Sequence, residues 1–130
     1  MTVIHTAARQ RITPDSRPPG CPVQSAGMFV IRSDGTATFD RHYHDFDEFW
    51  LVAAGTGTVQ VGGEQHHITA GDIIFTAAGL DHDVIAVAEE LRVFWLSLPP
   101  TPGGSGAHLH RTEHDAIKHA VRVVSAGGPR

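Results

Sequence analysis

The chain has 130 residues, a formal net charge of −4 with histidine neutral, and 41% hydrophobic against 18% charged residues. That is the length of one domain with one core, which excludes a multidomain enzyme as an expectation, and the balance of a folded chain rather than a disordered one. An acidic balance with a single lysine, Lys118, argues against a phosphate-neutralising surface, so neither nucleic acid nor an anionic membrane is an expected partner.

A lone cysteine, Cys21, leaves no internal disulfide and no multi-cysteine zinc site, and with no secretory pattern in residues 1–10 the expected setting is cytoplasmic. The longest apolar runs, such as residues 49–54, fall far short of the ~20 residues that span a bilayer. Cys21 reads as a buried or incidental thiol, because no base stands beside it in sequence.

Residues 1–26 carry Pro14, Pro18, Pro19, Gly20 and Pro22 with little periodicity, and predict an irregular arm with one short strand at most. Eight short strands follow, at residues 28–32, 36–42, 49–54, 58–61, 65–69, 72–76, 83–87 and 91–98. With no helix between them they predict an antiparallel sandwich or barrel over residues 27–98. Turns are expected at Ser33-Asp34-Gly35, Gly55-Thr56-Gly57, Gly62-Gly63 and Ala70-Gly71, of which Gly62-Gly63 is the best hairpin signal. Residues 99–130 form a Pro/Gly linker and a tail. There Thr112 can cap a helix that places Ile117, Val121 and Val124 on one face and ends near Gly127, although Val121-Arg122-Val123 also alternates as a strand does.

Histidine is the anomalous residue: there are ten, against one tyrosine and no asparagine, so their placement becomes the first question. His42 and His44 stand two apart and share a strand face, and Glu48, a further even step along, joins them if the chain stays extended or bulges once. His82, after the loop 77–81, can bring a fourth donor from another strand. Three imidazoles and one carboxylate suit one divalent transition metal such as Fe, Mn, Ni, Cu or Zn.

The register around these residues resembles the cupin superfamily. Its first motif is matched by Gly35, His42-Tyr43-His44, Glu48 and Gly55, with Gly35 one residue further upstream than usual. Its second is matched by Gly71, Gly79 and His82, while Ala77 stands where the pattern has proline and Ala86 where it has asparagine. The resemblance spans residues 28–98. It implies an all-β, single-domain cupin-type jelly-roll barrel with an N-terminal arm and a C-terminal extension, and His42, His44, Glu48 and His82 as metal ligands.

The remaining candidates divide between site and scaffold. Asp45, Asp47, Asp81 and Asp83 flank the ligands and either orient imidazoles or serve as loop carboxylates. Arg32, Arg41 and Arg92 lie in or beside apolar strands, where one turned inward would imply an acidic substrate. Phe29, Trp50, Phe94 and Trp95 read mostly as core, with one or two walling the pocket. His66 and His67 read as structural or solvated, while His108, His110, His114 and His119 form a loose cluster after the Pro/Gly linker that could hold adventitious metal, with no fixed geometry implied, but reads first as a solvated tail. Metal occupancy is expected to weaken near pH 6 to 7, where ordinary histidine titrates.

Two functions are compatible with these features. One is a metal-dependent enzyme on a small oxygenated substrate, an oxygenase or an isomerase, epimerase, cyclase or lyase acting next to a carbonyl; no catalytic residue is singled out. The other is a non-catalytic small-ligand-binding or sensing module. A homodimer is expected, with Val3, Ile4 and Ile12 of the arm and Ile117, Val121 and Val124 of the tail covering a neighbouring copy.

Overall fold

The computed structural model describes residues 2–125, and the expected helix end near Gly127 lies outside them. The strands are β1 (Ser25–Ile31), β2 (Thr38–Phe39), β3 (Tyr43–His44), β4 (Glu48–Val61), β5 (Glu64–Thr69), β6 (Ile73–Thr76), β7 (His82–Ser97), β8 (His108–Leu109), β9 (His119–Ala120) and β10 (Arg122–Val123). The main sheet runs β1-β7-β4-β5, with β6 also on β4 and β10 on β7. Its pairings are antiparallel except β10 with β7. The all-β expectation holds.

Two expected breaks are absent. Residues 49–54 and 58–61 run together as β4, and 83–87 and 91–98 as β7, so Gly55-Thr56-Gly57 is not a turn. Gly55 sits at φ +90, and a Cβ there would meet the Glu90 carbonyl oxygen at 2.1 Å. Glycine is needed because the backbones of β4 and β7 approach closely at a bulge, where the β4–β7 register shifts repeatedly. The same point is where β4 changes its other neighbour from β6 to β5. Gly62-Gly63 does close the β4–β5 hairpin, with Gly62 at φ +58.

The core is Ile31, Trp50, Val52, Val59, Ile68, Val84, Val87, Leu91, Val93 and Val121. Its last member comes from the tail, which does not form the expected helix. Thr112 accepts from the Asp115 amide at 3.1 Å and caps only a turn, and Ile117 is 65% exposed. The valine-rich segment 121–124 instead extends along the barrel, where β10 pairs with Ala86 and Val87 and Val121 is buried in the core. β9 pairs with β2 and β8 with β3, so the tail returns across the same end of the sheet that carries His42 and His44.

The arm holds a 3-10 turn at Thr6–Ala8 and then joins β1 through paired amides and carbonyls of Ile12 and Ala26. β1 begins three residues before the expected 28 because Ser25 and Ala26 continue its ladder onto Ser97 and Leu96. Ile12, Val121 and Val124, expected to cover a neighbouring copy, are placed against this chain's own barrel. On the outer face Ile73, Phe75 and Phe94 are exposed.

Candidate metal centre

His42 and His82 face each other across a two-hydrogen-bond bridge, in which each amide donates to the other's carbonyl at 3.2 and 2.8 Å. This places their rings on one side, with centroids 4.2 Å apart, and His44, two residues on, brings its ring 5.0 Å from each. Glu48 opens β4 after the irregular Asp45-Phe46-Asp47 segment, and its Oε2 lies 3.8 Å from Nε2 of His44. All four side chains are buried. Donor atoms of His44, Glu48 and His82 lie within 4.8 Å of one another; His42 belongs to a second such set, with His44 and His108.

Each imidazole is turned the same way. Nδ1 of His42 faces the Asp40 carbonyl at 2.7 Å, that of His44 the Ala107 carbonyl at 3.4 Å, and that of His82 the Leu80 carbonyl at 3.4 Å. A carbonyl oxygen only accepts, so Nδ1 carries the proton and Nε2 is left as a lone pair. Burial keeps the rings neutral: it pushes His82 down to about 3 and His42 down to about 4, with neighbouring imidazoles adding to the effect, and it lowers His44 against the pull of Glu48. The His44–Glu48 approach is therefore not an ion pair. Nε2 of His82 is buried with no hydrogen-bond partner among the described residues, a costly state for a polar atom.

The Glu48 carboxylate is fixed from both sides, by the Trp50 indole N–H on Oε1 at 2.7 Å and the Ser97 hydroxyl on Oε2 at 2.9 Å. The Thr76 hydroxyl donates to the Glu48 carbonyl at 3.1 Å. Three neutral Nε2 lone pairs and a held carboxylate are the donor chemistry a divalent transition ion requires. Beside them opens a cavity of about 720 Å³, walled by Phe29, Phe39, Phe46 and Trp95 and reached by Arg11 from the arm and Lys118 from the tail.

The flanking carboxylates do not orient the imidazoles. Asp45 accepts the amides of Ser105 and Gly106 at 2.6 and 2.9 Å, Asp47 accepts that of Ala78 at 2.9 Å, and Asp83 meets Nε2 of His119 at 2.6 Å. Asp81 pairs with Arg41 at 3.2 Å and with Arg111, which stacks over Tyr43 and donates to the Gly79 carbonyl. Arg32 and Arg92 both pair with Glu90, at 3.7 and 2.8 Å, so none of the three strand arginines supplies a cation to the cavity wall.

The solvated tail expected from sequence is a fixed one. His108 stacks on His42 with centroids 3.8 Å apart, and Nε2 of both His108 and His110 meets Oδ2 of Asp40 at 2.6 Å. Burial works against the Asp40 charge, but the hydrogen bonds from His110 and His108 outweigh it and draw the carboxyl down to about 2. Asp40, Arg11 and Lys118 are site residues that sequence reasoning passed over, and His108 is one that it set aside as solvated tail. Asp40 was within reach, since it shares an alternation with His42 and His44, and His108 and His110 repeat their spacing. His66 and His67 are exposed on β5, and His114 is exposed in the tail.

Residues 25–121 match the model of the AraC-like ligand binding domain. The chain is 36% identical over 74 residues to an uncharacterized protein of Sinorhizobium fredii, covering 57% of this chain and 34% of that protein, so it spans about a third of the length of this relative. Among solved structures, a Cupin 2 conserved barrel domain protein from Salinispora arenicola superposes with a TM-score of 0.56 at 20% identity, over 69% of this chain and 73% of that one. Oxalate decarboxylase from Bacillus subtilis superposes with a TM-score of 0.58 at 14% identity, over 73% of this chain and 26% of that one. With the barrel, the matched span and these neighbours in agreement, the chain belongs to the AraC-like ligand-binding-domain family and has the cupin fold.

Proposed function

We propose that the chain is a mononuclear divalent-metal cupin acting on a small, oxygenated, negatively charged molecule, with His42, His44, Glu48 and His82 as ligands. The observation that carries this reading is the buried Nε2 of His82, unpartnered among the described residues and set among donor atoms of His44 and Glu48. A bound divalent ion would supply Lewis acidity toward a carbonyl or carboxylate oxygen or, as iron, oxygen chemistry. The chain's own residues do the rest. The carbonyls of Asp40, Leu80 and Ala107 keep the Nε2 lone pairs turned inward, Trp50 and Ser97 hold Glu48, and Phe29, Phe39, Phe46 and Trp95 line the cavity beside them. Arg11 and Lys118 reach the cavity with no acidic partner among the described residues, which supports an anionic substrate in place of the strand arginines first considered.

The family match favours a second reading, a ligand-binding module that retains its ligand unchanged. Elemental analysis of tag-free protein tests the common premise: about one tightly held ion at the centre is expected, lost in Glu48→Ala and kept in His66→Ala. Full occupancy of the centre in Glu48→Ala removes that carboxylate from the ligand set. Turnover of small keto or carboxylic acids by metal-loaded protein supports the enzyme, and binding without turnover supports the module.

A further inference from the structure

His108 and His110 flank Leu109 where the tail crosses β3, and strand alternation turns both to one side. Their two Nε2 atoms converge on a single oxygen, Oδ2 of Asp40, and one donor atom from each of the three residues lies within 4.8 Å of the others. We propose that Asp40, His108 and His110 form a second divalent-metal site, whose ion ties the C-terminal segment across the mouth of the cavity.

Two imidazoles and one carboxylate make a mixed N/O donor set that would suit zinc, nickel or iron and would leave positions for water. In the metal-free protein a single carboxylate oxygen serves two ring N–H groups. A neutral imidazole that moves its proton to Nδ1 presents Nε2 as a lone pair instead, so one cation satisfies both rings and the carboxylate at once. The side chains of His108, His110 and Asp40 are 47%, 24% and 15% exposed, so an ion there is reachable from solvent. His108 also has a donor atom near those of His42 and His44, whereas His110 joins only the Asp40 and His108 set and marks the second site alone. The set shares no residue with His44, Glu48 and His82. An ion on it would bind β8 to the chain just before His42, and so brace the wall of the first centre.

The test is the zinc stoichiometry of chelator-stripped, tag-free protein after equilibrium dialysis. Two ions per chain are expected for the wild type, and one each for His110→Ala and Glu48→Gln. A His110→Ala protein that binds as much zinc as the wild type overturns the second site. A single ion kept by His110→Ala and lost by Glu48→Gln leaves the first centre standing and sinks this proposal; the reverse pattern upholds this proposal and sinks the first. Trypsin sensitivity of the full-length wild type gives a readout that needs no variant, because Arg111 and Lys118 lie in the segment. Zinc beyond the first equivalent should slow cleavage there roughly tenfold, and cleavage unchanged by zinc overturns the proposal.

Discussion

Two groups of histidines meet at one end of this barrel and are held in opposite ways. His42, His44 and His82 are buried, and each faces a backbone carbonyl through Nδ1, whereas His108, His110 and His119 are partly exposed, and each faces a carboxylate through Nε2. A carbonyl fixes the tautomer and adds no charge, so burial keeps the first group neutral. At His119 the penalty of burial is exceeded by the hydrogen bonds to the Ala120 carbonyl and Asp83 and by the Asp83 charge, which together favour the imidazolium. Residue type alone therefore does not decide how burial acts on an imidazole; the atom opposite the ring and its access to water do.

The largest effect that follows is on acid stability of the metal-free protein. His42 and His82 titrate near 4 and 3 when folded and near 6.5 when unfolded, so below pH 6.5 only the unfolded chain takes up these protons. Stability is unaffected by them above that pH and falls as the pH drops toward 4, by a total on the order of 5 kcal/mol. Urea denaturation of chelator-treated protein at pH 7.5, 5.5 and 4.5 measures it, and equal midpoints would erase the distinction between the two groups. The same shift revises the expected loss of metal near pH 6 to 7. With the rings already neutral, proton competition in the folded protein should begin nearer pH 5, and dialysis at stepped pH checks it.

A smaller effect tests how the carboxylate is held. Trp50→Phe keeps the ring in the core but removes the 2.7 Å hydrogen bond to Glu48 Oε1. Metal affinity should fall about 10- to 100-fold, the usual cost of losing a partner that orients a ligand, while the fold is retained. Competition against a chelator reads the change. An unaltered affinity would mean that Ser97 alone positions Glu48.

Legibility in the sequence followed the range of the interactions. His42, His44, Glu48 and His82 could be picked out because strand alternation and motif spacing are local, and the structure brings them to one end of the sheet. Gly55-Thr56-Gly57 misled, since a glycine that permits a turn and a glycine that permits two backbones to approach are the same letter; only the Glu90 carbonyl, 35 positions further along, distinguishes them. The carboxylates misled for the same reason. Asp45, Asp81 and Asp83 stand beside predicted ligands but are spent on Ser105, Arg111 and His119, partners that no local pattern names. Val121 could be read on a helix face or a strand, and the choice was made by its packing in the core where β10 pairs with β7.

The smallest effect has the opposite sign to the acid loss and isolates the tail. At His119 burial disfavours the charge, yet the hydrogen bonds to the Ala120 carbonyl and Asp83, with the Asp83 charge, raise its pKa above the ordinary value. A group raised on folding stabilises fully below its unfolded pKa, near 6.5, and that contribution disappears as the pH climbs through the folded value. The His119 side chain is 38% exposed, so solvent screens the pair and the contribution should stay under about 1 kcal/mol. His119→Gln should therefore lower stability slightly at pH 5.5 and hardly at pH 8.5, while leaving zinc occupancy of both sites unchanged. A variant equally destabilised at both pH values would show that the ring acts by packing β9 against β2, and that its charge has no part in holding the tail.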